Sequence, residues 1–385
     1  MKRILAAAVG IALLGLLPLS AGAATLAEAG KSAVLMDVTT GTVLYEHNSH
    51  EALAPASVTK VMTMLLIMEA VDSGKIALTD TVTASEAAAA KGGSQIYLKA
   101  GETMSVSDML KSIAVSSAND CACAMAEHIC GSESAFVEAM NRRAKELGMQ
   151  DTHFVNCTGL DDDDSAKLHR TSAYDIALMS RELLKNHPDI KKYTTIWMDT
   201  VRNGAFGLSN TNKLIRFYPG ATGLKTGYTA GEGYCLSASA QKEGMELIAV
   251  VMGAKTSQAR NAACKELLDY GFANFAVVAP EPEELPQVGV RLGKPTQVPV
   301  KMEETAGMLI EKSQRSGITT EISLEESVAA PVVRGQTRGS LSVKSGEQTL
   351  RQIPLVAAED VERLSTGDIF LAVLRRAAMA KETQE

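Results

Sequence analysis

Residues 54–71 read APASVTKVMTMLLIMEAV, and this stretch decides how the rest of the chain is interpreted. Its central residues are apolar around the whole circumference of a helix, which predicts a core helix rather than a surface one. Ser57 and Lys60 stand at the beginning of that helix, three residues apart and therefore on one face. Two interpretations are open: Ser57 caps the helix while Lys60 extends to water, or Lys60 is a base that activates Ser57.

The second interpretation requires a lysine that can lose its proton near neutral pH. A serine hydroxyl is a weak nucleophile until a base takes its proton. A lysine can serve as that base only when burial or neighbouring cations lower its pKa towards neutrality. The beginning of a core helix offers Lys60 such an environment, so other parts of a catalytic site are expected elsewhere in the chain.

Residues 113–120, IAVSSAND, place Ser117 and Asn119 between two predicted helices. A second hydroxyl at this point would pass a proton to a leaving amine. The Asn119 amide would hold both Lys60 and a substrate carbonyl. This tripeptide is a weak signal when it is taken alone.

Residues 224–234, LKTGYTAGEGY, carry Lys225, Thr226 and Gly227 immediately before a predicted hairpin strand. A cation and a hydroxyl suit a substrate carboxylate, and glycine lets a peptide backbone approach closely. The tripeptide is also weak alone. Because the three motifs SxxK, SxN and KTG occur in this order, chance is a poor explanation of the set.

The first residues predict export from the cytoplasm. Lys2 and Arg3 precede an apolar run, and Ala21-Gly22-Ala23 forms a cleavage site, so residues 1–23 are interpreted as a signal peptide. An uncleaved anchor is the alternative, but the run is short for a bilayer span. The mature protein is then expected to act outside the cytoplasmic membrane.

Composition narrows the classes of partner. A net charge of −7 argues against nucleic acid, and aromatic residues make up only 4% of the chain, so no sugar-stacking platform is obvious. The sequence contains no CxxC pair and no HExxH motif, so a metal site is not predicted. The six cysteines are interpreted as buried free thiols, because their positions do not favour pairing with one another.

The pattern of elements predicts an α+β fold, with helices packed on an antiparallel sheet. A hairpin at 31–46 and two later strands within 233–253 supply the sheet, and a helical block is inserted between them. The predicted helices of the block and its surroundings are the Ser57 helix ending at Gly74, 105–115, 120–129, 135–147, 171–185 and 257–270.

A Pro/Glu-rich linker, APEPEELP, begins at Ala279, and beyond it the chain alternates apolar and polar residues. Residues 287–355 are predicted to form a small all-β domain. The predicted domains are therefore the signal peptide, a catalytic domain at 24–278, this β-rich domain, and a tail at 356–385.

The resemblance to a known family extends beyond the three short motifs. The segments SAVLMDVTTGTVLYEHNSHEALAPASVTKVMT, THFVNCTGLDD, HRTSAYDIALMSREL, NTNKLI and GLKTGYTAGEGYCLSASA resemble the D-alanyl-D-alanine carboxypeptidases of low molecular mass, which are penicillin-recognising serine enzymes. The similarity covers about residues 30 to 275. Ala118 replaces a glycine found in many relatives, and Tyr228 follows KTG where others carry His or Thr; neither change removes a catalytic atom.

The resemblance implies a serine β-lactamase/transpeptidase-like catalytic domain and a mechanism. Ser57 would attack the carbonyl between the last two D-alanines of a peptidoglycan stem peptide, with Lys60 as base, and β-lactams would acylate the same serine. Ser117, with Asn119 and Lys225, would carry the proton to the departing D-alanine. No metal or organic cofactor is required.

The resemblance also assigns the residues that bind the substrate. The backbone N–H groups of Ser57 and Tyr228 would form the oxyanion hole. Lys225 and Thr226 would hold the terminal carboxylate, and Gly227 would let the peptide approach. Arg260 occupies a position that is often basic in relatives; it either assists Lys225 or is a solvated helix arginine.

Three alternative functions share these motifs. A serine β-lactamase would need a deacylating glutamate between SxN and KTG, and Glu182 fits a Glu-x-x-x-Asn pattern, although it stands at the end of a predicted helix. A transpeptidase or endopeptidase differs only in which group takes the acyl chain. A non-catalytic penicillin-binding sensor or scaffold is disfavoured by the intact motifs.

The tail carries a predicted amphipathic helix, DIFLAVLRRAAMAK. Its apolar stripe consists of Ile369, Phe370, Val373, Leu374 and Ala377, with Arg375, Arg376 and Lys381 nearby. This composition favours peripheral contact with a membrane. The alternative is that the stripe packs on the β-rich domain.

Overall fold

The computed structural model describes residues 26–161, 167–279, 284–303, 307–371 and 373–374. The predicted signal peptide, the residues from 375 onward and part of the predicted linker lie outside these ranges.

Most of the helices lie between residues 60 and 217 and form one block, and a further long helix comes later in the chain. They are α1 (Lys60–Asp72), α2 (Glu86–Ala89), α3 (Val106–Ser116), α4 (Asn119–Cys130), α5 (Glu133–Glu146), α6 (Ala173–Asn186), α7 (Lys191–Thr194), α8 (Leu214–Phe217) and α9 (Ser257–Asn274). Several begin at a serine or threonine whose hydroxyl accepts from the backbone N–H three residues on: Ser105, Ser132, Ser172 and Thr256.

The strands of the first part of the chain are β1 (Ser32–Asp37), β2 (Val43–His47), β3 (Thr81–Thr83), β4 (Thr103–Ser105), β5 (Met198–Val201), β6 (Phe206–Ser209), β7 (Ala221–Thr229), β8 (Gly233–Lys242), β9 (Met245–Ala254) and β10 (Phe275–Val278). The later strands are β11 (Val288–Arg291), β12 (Gln297–Val298), β13 (Val300–Met302), β14 (Met308–Glu311), β15 (Ile318–Leu324), β16 (Ser327–Ala329), β17 (Thr337–Ser345) and β18 (Gln348–Ala357).

The main sheet has the order β2-β1-β9-β8-β7, and every neighbouring pair is antiparallel. Strand β1 pairs with β9 in a register that places Val34 opposite Val250. Strands from the two ends of this region therefore meet in the middle of the sheet, with the helical block inserted between β2 and β7. The α+β prediction is confirmed, and β7, which carries the KTG motif, forms an edge.

The two faces of the sheet build separate cores. Along β9, Ile248, Val250 and Met252 join the core of the helical block, where α1 is buried. Their neighbours along the strand, such as Leu247 and Ala249, join a second core with α9. This division follows from the two-residue period of a strand, in which successive side chains point to opposite faces.

The β-rich part of the chain has its own apolar core, which includes Val288, Val298 and Leu341. Its sheets have the orders β13-β18-β17-β15 and β12-β11-β16. Strand β10, which directly follows α9, pairs with β14. The prediction of a small all-β domain after the catalytic region is confirmed.

Two further sequence predictions can be compared with the structure. All six cysteines are free as predicted, and all except the half-buried Cys130 are buried. Residues 366–371 and 373–374 are helical, and Phe370 is 64% exposed. The apolar side chains of this helix that the structure describes, Ile369, Phe370, Val373 and Leu374, are all exposed rather than packed on the β-rich sheets. Within the described ranges, no helix combines the length and apolar character needed to cross a membrane.

Candidate active site

The SxxK motif lies at a change of helix type. Residues Ala56–Thr59 form a 3₁₀ turn, and α1 begins only at Lys60. Because a 3₁₀ helix has three residues per turn, side chains at i and i+3 eclipse each other. Lys60 Nζ consequently lies 3.0 Å from Ser57 Oγ. Neither the turn nor α1 has a side-chain cap, so the capping interpretation of Ser57 is wrong.

Lys60 is fully buried, so the alternative in which it extends to water is also wrong. Its Nζ donates to the carbonyl oxygen of Thr158 at 2.8 Å as well as to Ser57. Burial lowers the pKa of Lys60 to about 7, because the charged ammonium loses its hydration. A lysine with this pKa is neutral for a substantial fraction of the time near neutrality.

Ala56, directly before the serine, adopts a left-handed backbone conformation with φ +50°. Its carbonyl oxygen accepts from the Thr59 hydroxyl at 2.8 Å. A Cβ on Gly159 would lie 1.8 Å from that same oxygen, so only glycine fits there. The conformation of the turn that carries Ser57 is thus fixed from two sides.

His169 completes this support. Its Nδ1 accepts from the backbone N–H of Val155 at 3.1 Å, and its Nε2 lies 2.7 Å from Thr59 Oγ1. Burial lowers the pKa of His169 to about 4, so the ring is neutral near neutrality. Because Nδ1 accepts, Nε2 carries the proton and donates to Thr59. Thr59 and His169 were not among the predicted site residues, although both lie in segments that resemble the family.

The SxN motif lies at the junction of α3 and α4. Ser117 ends α3 with φ +63°, and α4 begins at Asn119. The Asn119 side chain donates to the carbonyl oxygen of Gly92 at 2.8 Å, and its backbone N–H donates to Ser94 at 2.7 Å. Ser117 Oγ and Asn119 Oδ1 are buried and have no hydrogen-bond partner among the described residues. Among the described residues, Asn119 therefore makes no hydrogen bond to Lys60, although one was predicted.

The KTG motif lies within β7 rather than before a strand. Thr226 Oγ1 donates to Thr211 Oγ1 at 2.7 Å. A Cβ on Gly227 would lie 2.6 Å from the carbonyl oxygen of Pro55 and 3.2 Å from the backbone nitrogen of Ser57. The absence of a side chain at Gly227 thus lets the edge strand approach the serine turn.

Lys225 is 1% exposed, and burial lowers its pKa well below the ordinary value of lysine. The nearby cations Lys60 and Arg260 lower this pKa further. A bound carboxylate would oppose all of these effects, because an adjacent anion favours the charged form of lysine. An anionic ligand beside Lys225 would therefore raise this pKa.

The remaining two candidates lie beside β7. Tyr228 is 56% exposed, and its ring lies 4.4 Å from that of Tyr234. Arg260 is only 5% exposed; its guanidinium lies 5.8 Å from the Tyr234 ring and donates to Cys235 at 3.4 Å. The interpretation of Arg260 as a solvated helix arginine is wrong.

Glu182, the candidate for a β-lactamase glutamate, lies in α6 and is engaged elsewhere. Its carboxylate accepts from Arg143 at 2.6 Å and from Asn186 at 2.9 Å. Arg143 also pairs with Glu69 at 2.7 Å. These contacts are typical of a structural ion-pair network on the helical block.

The fold and the site together define a class of protein. A serine with a buried lysine at 3.0 Å, a second buried serine and a lysine on an edge strand are the parts of an acyl-transfer site of the penicillin-recognising kind.

Comparison with known proteins identifies the family. The D-alanyl-D-alanine carboxypeptidase family matches residues 20–256, and the C-terminal domain of penicillin-binding protein 5 matches residues 279–363. The chain belongs to this carboxypeptidase family and is a serine-type D-Ala-D-Ala carboxypeptidase.

The relatives align over most of their length. D-alanyl-D-alanine carboxypeptidase DacF of Bacillus subtilis is 45% identical over 91% of this chain and 90% of its own. Penicillin-binding protein 5 of Haemophilus influenzae has a TM-score of 0.76 at 30% identity, covering 91% of this chain and all of that one. Penicillin-binding protein D2 of Listeria monocytogenes, solved in its ampicillin-bound form, has a TM-score of 0.58 at 32% identity, covering 63% of this chain and 98% of that one.

Proposed function

We propose that Ser57 is the nucleophile that removes the terminal D-alanine from peptidoglycan stem peptides, with Lys60 as its general base. The hydroxyl oxygen of Ser57 attacks the carbonyl between the two D-alanines, and its proton passes to neutral Lys60. Ser117 relays a proton to the departing amine, and Asn119 positions the acyl chain. Water then hydrolyses the acyl-enzyme, which releases a stem that is one residue shorter.

The substrate is held by groups on and beside β7. Lys225 and Thr226 bind the terminal carboxylate, and Arg260 adds positive charge behind them. The backbone N–H groups of Ser57 and Tyr228 form the oxyanion hole, a contribution supported by the close approach of Gly227 to the serine turn. A β-lactam, which carries a similar carboxylate, acylates Ser57 in the same position; the ampicillin-bound relative supports this step.

One observation carries the assignment of the nucleophile: the buried Lys60 Nζ lies 3.0 Å from Ser57 Oγ and has a pKa of about 7. Ser57→Ala is expected to abolish both D-alanine release and covalent labelling by penicillin. Ser134→Ala, at an exposed serine of α5, is the matched control and should retain both. Wild-type labelling of the Ser57→Ala protein would disprove the assignment.

The same assays separate the alternatives. A carboxypeptidase releases D-alanine with water as acceptor, whereas a transpeptidase or endopeptidase requires an amine acceptor or a cross-linked substrate. A β-lactamase would release hydrolysed penicillin rapidly rather than stay labelled. The engagement of Glu182 by Arg143 and Asn186 argues against a deacylating role for that glutamate.

The location of the enzyme follows from its substrate. We propose that residues 1–23 are a cleaved signal peptide and that the enzyme acts at the outer face of the cytoplasmic membrane or in the cell wall. The proposed domains are the catalytic region 24–278, the β-rich region 287–355 and a tail, 356–385, that contacts the membrane peripherally. The exposure of Phe370 and Leu371 supports this contact.

A further inference from the structure

A patch of aromatic and cationic side chains lies on the surface formed by β5, α8 and the residues before them. Trp197 is half-buried and Phe217 is 68% exposed; their ring centroids lie 6.2 Å apart in an edge-on arrangement. The guanidinium of Arg216 lies 5.7 Å from the centroid of each ring. Trp197, Arg216 and Phe217 are called the tryptophan patch below.

The charge of Arg216 is available to a ligand. Over the described ranges, neither an ion pair nor a hydrogen bond engages its side chain, and the residue is exposed. Asp199, the acidic residue of β5, pairs instead with Lys111 at 3.2 Å. Arg202 provides a contrast: it also lies over an aromatic ring, that of Phe206, but it pairs with Glu102 at 2.6 Å.

The patch belongs to a segment that is bonded directly to the edge strand of the active site. The carbonyl oxygen of Trp197 accepts from Asn210 at 2.9 Å. The next residue, Thr211, accepts from Thr226 of the KTG motif at 2.7 Å. Phe217 follows Thr211 by six residues, which limits the separation of their Cα atoms to about 20 Å.

We propose that the tryptophan patch binds the glycan-linked end of the same stem peptide whose other end reacts at Ser57. This inference rests on the proposed function and specifies its substrate. Arg216 binds a free carboxylate of the stem, and the rings of Trp197 and Phe217 stack on the apolar face of the attached amino sugar.

The length and the charge of the stem peptide are compatible with binding at the tryptophan patch. The four stem residues before the scissile bond extend about 13 to 14 Å, which lies within the limit of about 20 Å that six residues set for the separation of Thr211 and Phe217. The stem carries carboxylates other than the terminal one, whereas Arg216 carries a charge that no described acid neutralises. Binding of this remote part would contribute to positioning the reacting carbonyl.

The kinetic test compares two substrates that differ only in the remote part. One is a short N-acylated peptide ending in D-Ala-D-Ala, and the other is a disaccharide pentapeptide. Arg216→Ala and Phe217→Ala are expected to lower kcat/KM for the disaccharide pentapeptide about three- to tenfold and to leave the short peptide unchanged. Arg142→Ala, at an exposed arginine of α5, is the matched control and should change neither value.

The single tryptophan of the chain provides a direct measurement of binding. In an otherwise intact Ser57→Ala protein, the disaccharide pentapeptide should change the emission of Trp197, while the short peptide at saturation should not. Arg216→Ala in that background should weaken the titration about three- to tenfold.

The outcomes separate this inference from the proposed function. Equal losses on both substrates, or no loss on either, would overturn the binding role of the patch, as would an emission change with both ligands. If the wild-type protein fails to release D-alanine from the short peptide, the proposed function fails instead.

Discussion

His169 donates from Nε2 to the Thr59 hydroxyl at 2.7 Å, although the two residues are 110 positions apart in the chain. Thr59 in turn donates to the carbonyl oxygen of Ala56, the left-handed residue that precedes Ser57. This chain of two hydrogen bonds links His169 to the backbone beside Ser57, the proposed nucleophile. Neither residue contacts the substrate in the proposed mechanism, so both are positioning residues.

Thr59→Val removes the hydroxyl while it preserves the shape of the side chain. We expect it to lower the acylation rate about 10- to 100-fold, because a displacement of the nucleophile by about 1 Å has an effect of that size. Thr59→Ser keeps the hydroxyl and should remain within a few-fold of wild type. Stopped-flow acylation by a chromogenic β-lactam measures both variants. Equal rates for Thr59→Val and Thr59→Ser would contradict the positioning role.

Lys60→Arg tests whether Lys60 is a base or only a positive charge. An arginine cannot be deprotonated in a protein, so Lys60→Arg should be nearly as inactive as Lys60→Ala. The measurement is acylation by penicillin at several pH values. Wild-type acylation should rise as the pH increases through about 7, where Lys60 loses its proton. A Lys60→Arg variant within a few-fold of wild type would rule out the base role.

The lowered pKa of Lys60 also predicts a dependence of stability on pH. The unfolded chain holds the Lys60 proton up to about pH 10.4, whereas the folded protein releases it near 7. Because the unfolded state binds more protons between these values, the contribution of Lys60 to stability rises with pH across that window. Relative to Lys60→Met, the wild type should be less stable at pH 7 and should recover towards pH 10.

Urea unfolding of wild type and Lys60→Met at pH 7, 8.5 and 10 measures this difference. The pKa shift of Lys60 corresponds to about 4 to 5 kcal/mol of unfolding free energy at its largest. Lys60→Met also loses two hydrogen bonds, which makes the measured difference in unfolding free energy smaller. A difference that is constant over this range would mean that the pKa of Lys60 is not lowered.

Lys225→Ala should impair substrates that carry a terminal carboxylate more than those that lack it. The reason is that a bound carboxylate offsets the burial of Lys225 and the nearby charges of Lys60 and Arg260, all of which lower its pKa. We expect a loss of at least 100-fold in kcat/KM for a D-Ala-D-Ala peptide, and about tenfold or less for an ester without the carboxylate. Equal losses for the two substrates would exclude Lys225 as the anchor.

Deleting residues 366–385 tests the peripheral contact with membranes. The exposed apolar side chains Ile369, Phe370 and Leu371, with the arginines that follow in the sequence, should give weak binding to anionic vesicles that decreases with salt. Co-sedimentation with vesicles measures it, and Phe370→Ser with Leu371→Ser is the control that keeps the charge. If the deletion leaves vesicle binding unchanged but lowers the melting temperature, the tail has a packing role.

Much of the fold was predictable because its signals are local. The α1 helix is apolar on every side, and the Gln-Lys-Glu-Gly turn lies between β8 and the strongly apolar β9, so the local pattern identifies both. The hairpin of β5 and β6 was not predicted, because its strands have only four residues each and most of β5 is exposed. Such strands are specified by their neighbours rather than by their own pattern.

The candidate site was predictable where function constrains short motifs, and less so where tertiary contacts complete it. Ser57 and Lys60 are three residues apart, so their proximity follows from helix geometry. The carbonyl of Thr158 that holds Lys60 and the Thr211 hydroxyl that holds Thr226 come from distant segments. Backbone carbonyls have no sequence signature, and threonine is common. These partners become visible only when the chain is folded.

The pairing of β1 with β9 sets a minimum length of chain from which the main sheet can be completed. Strand β1 has only β2 beside it until residues 245–254 have been made, so the main sheet stays open at that edge while the helical block emerges. The KTG strand pairs with β8, which precedes β9 in the chain and is joined to β1 only through β9. A chain that ends before residue 245 therefore contains Ser57, Lys60 and Lys225 but lacks the strand that joins β1 to β8, so its main sheet is left as two separate hairpins.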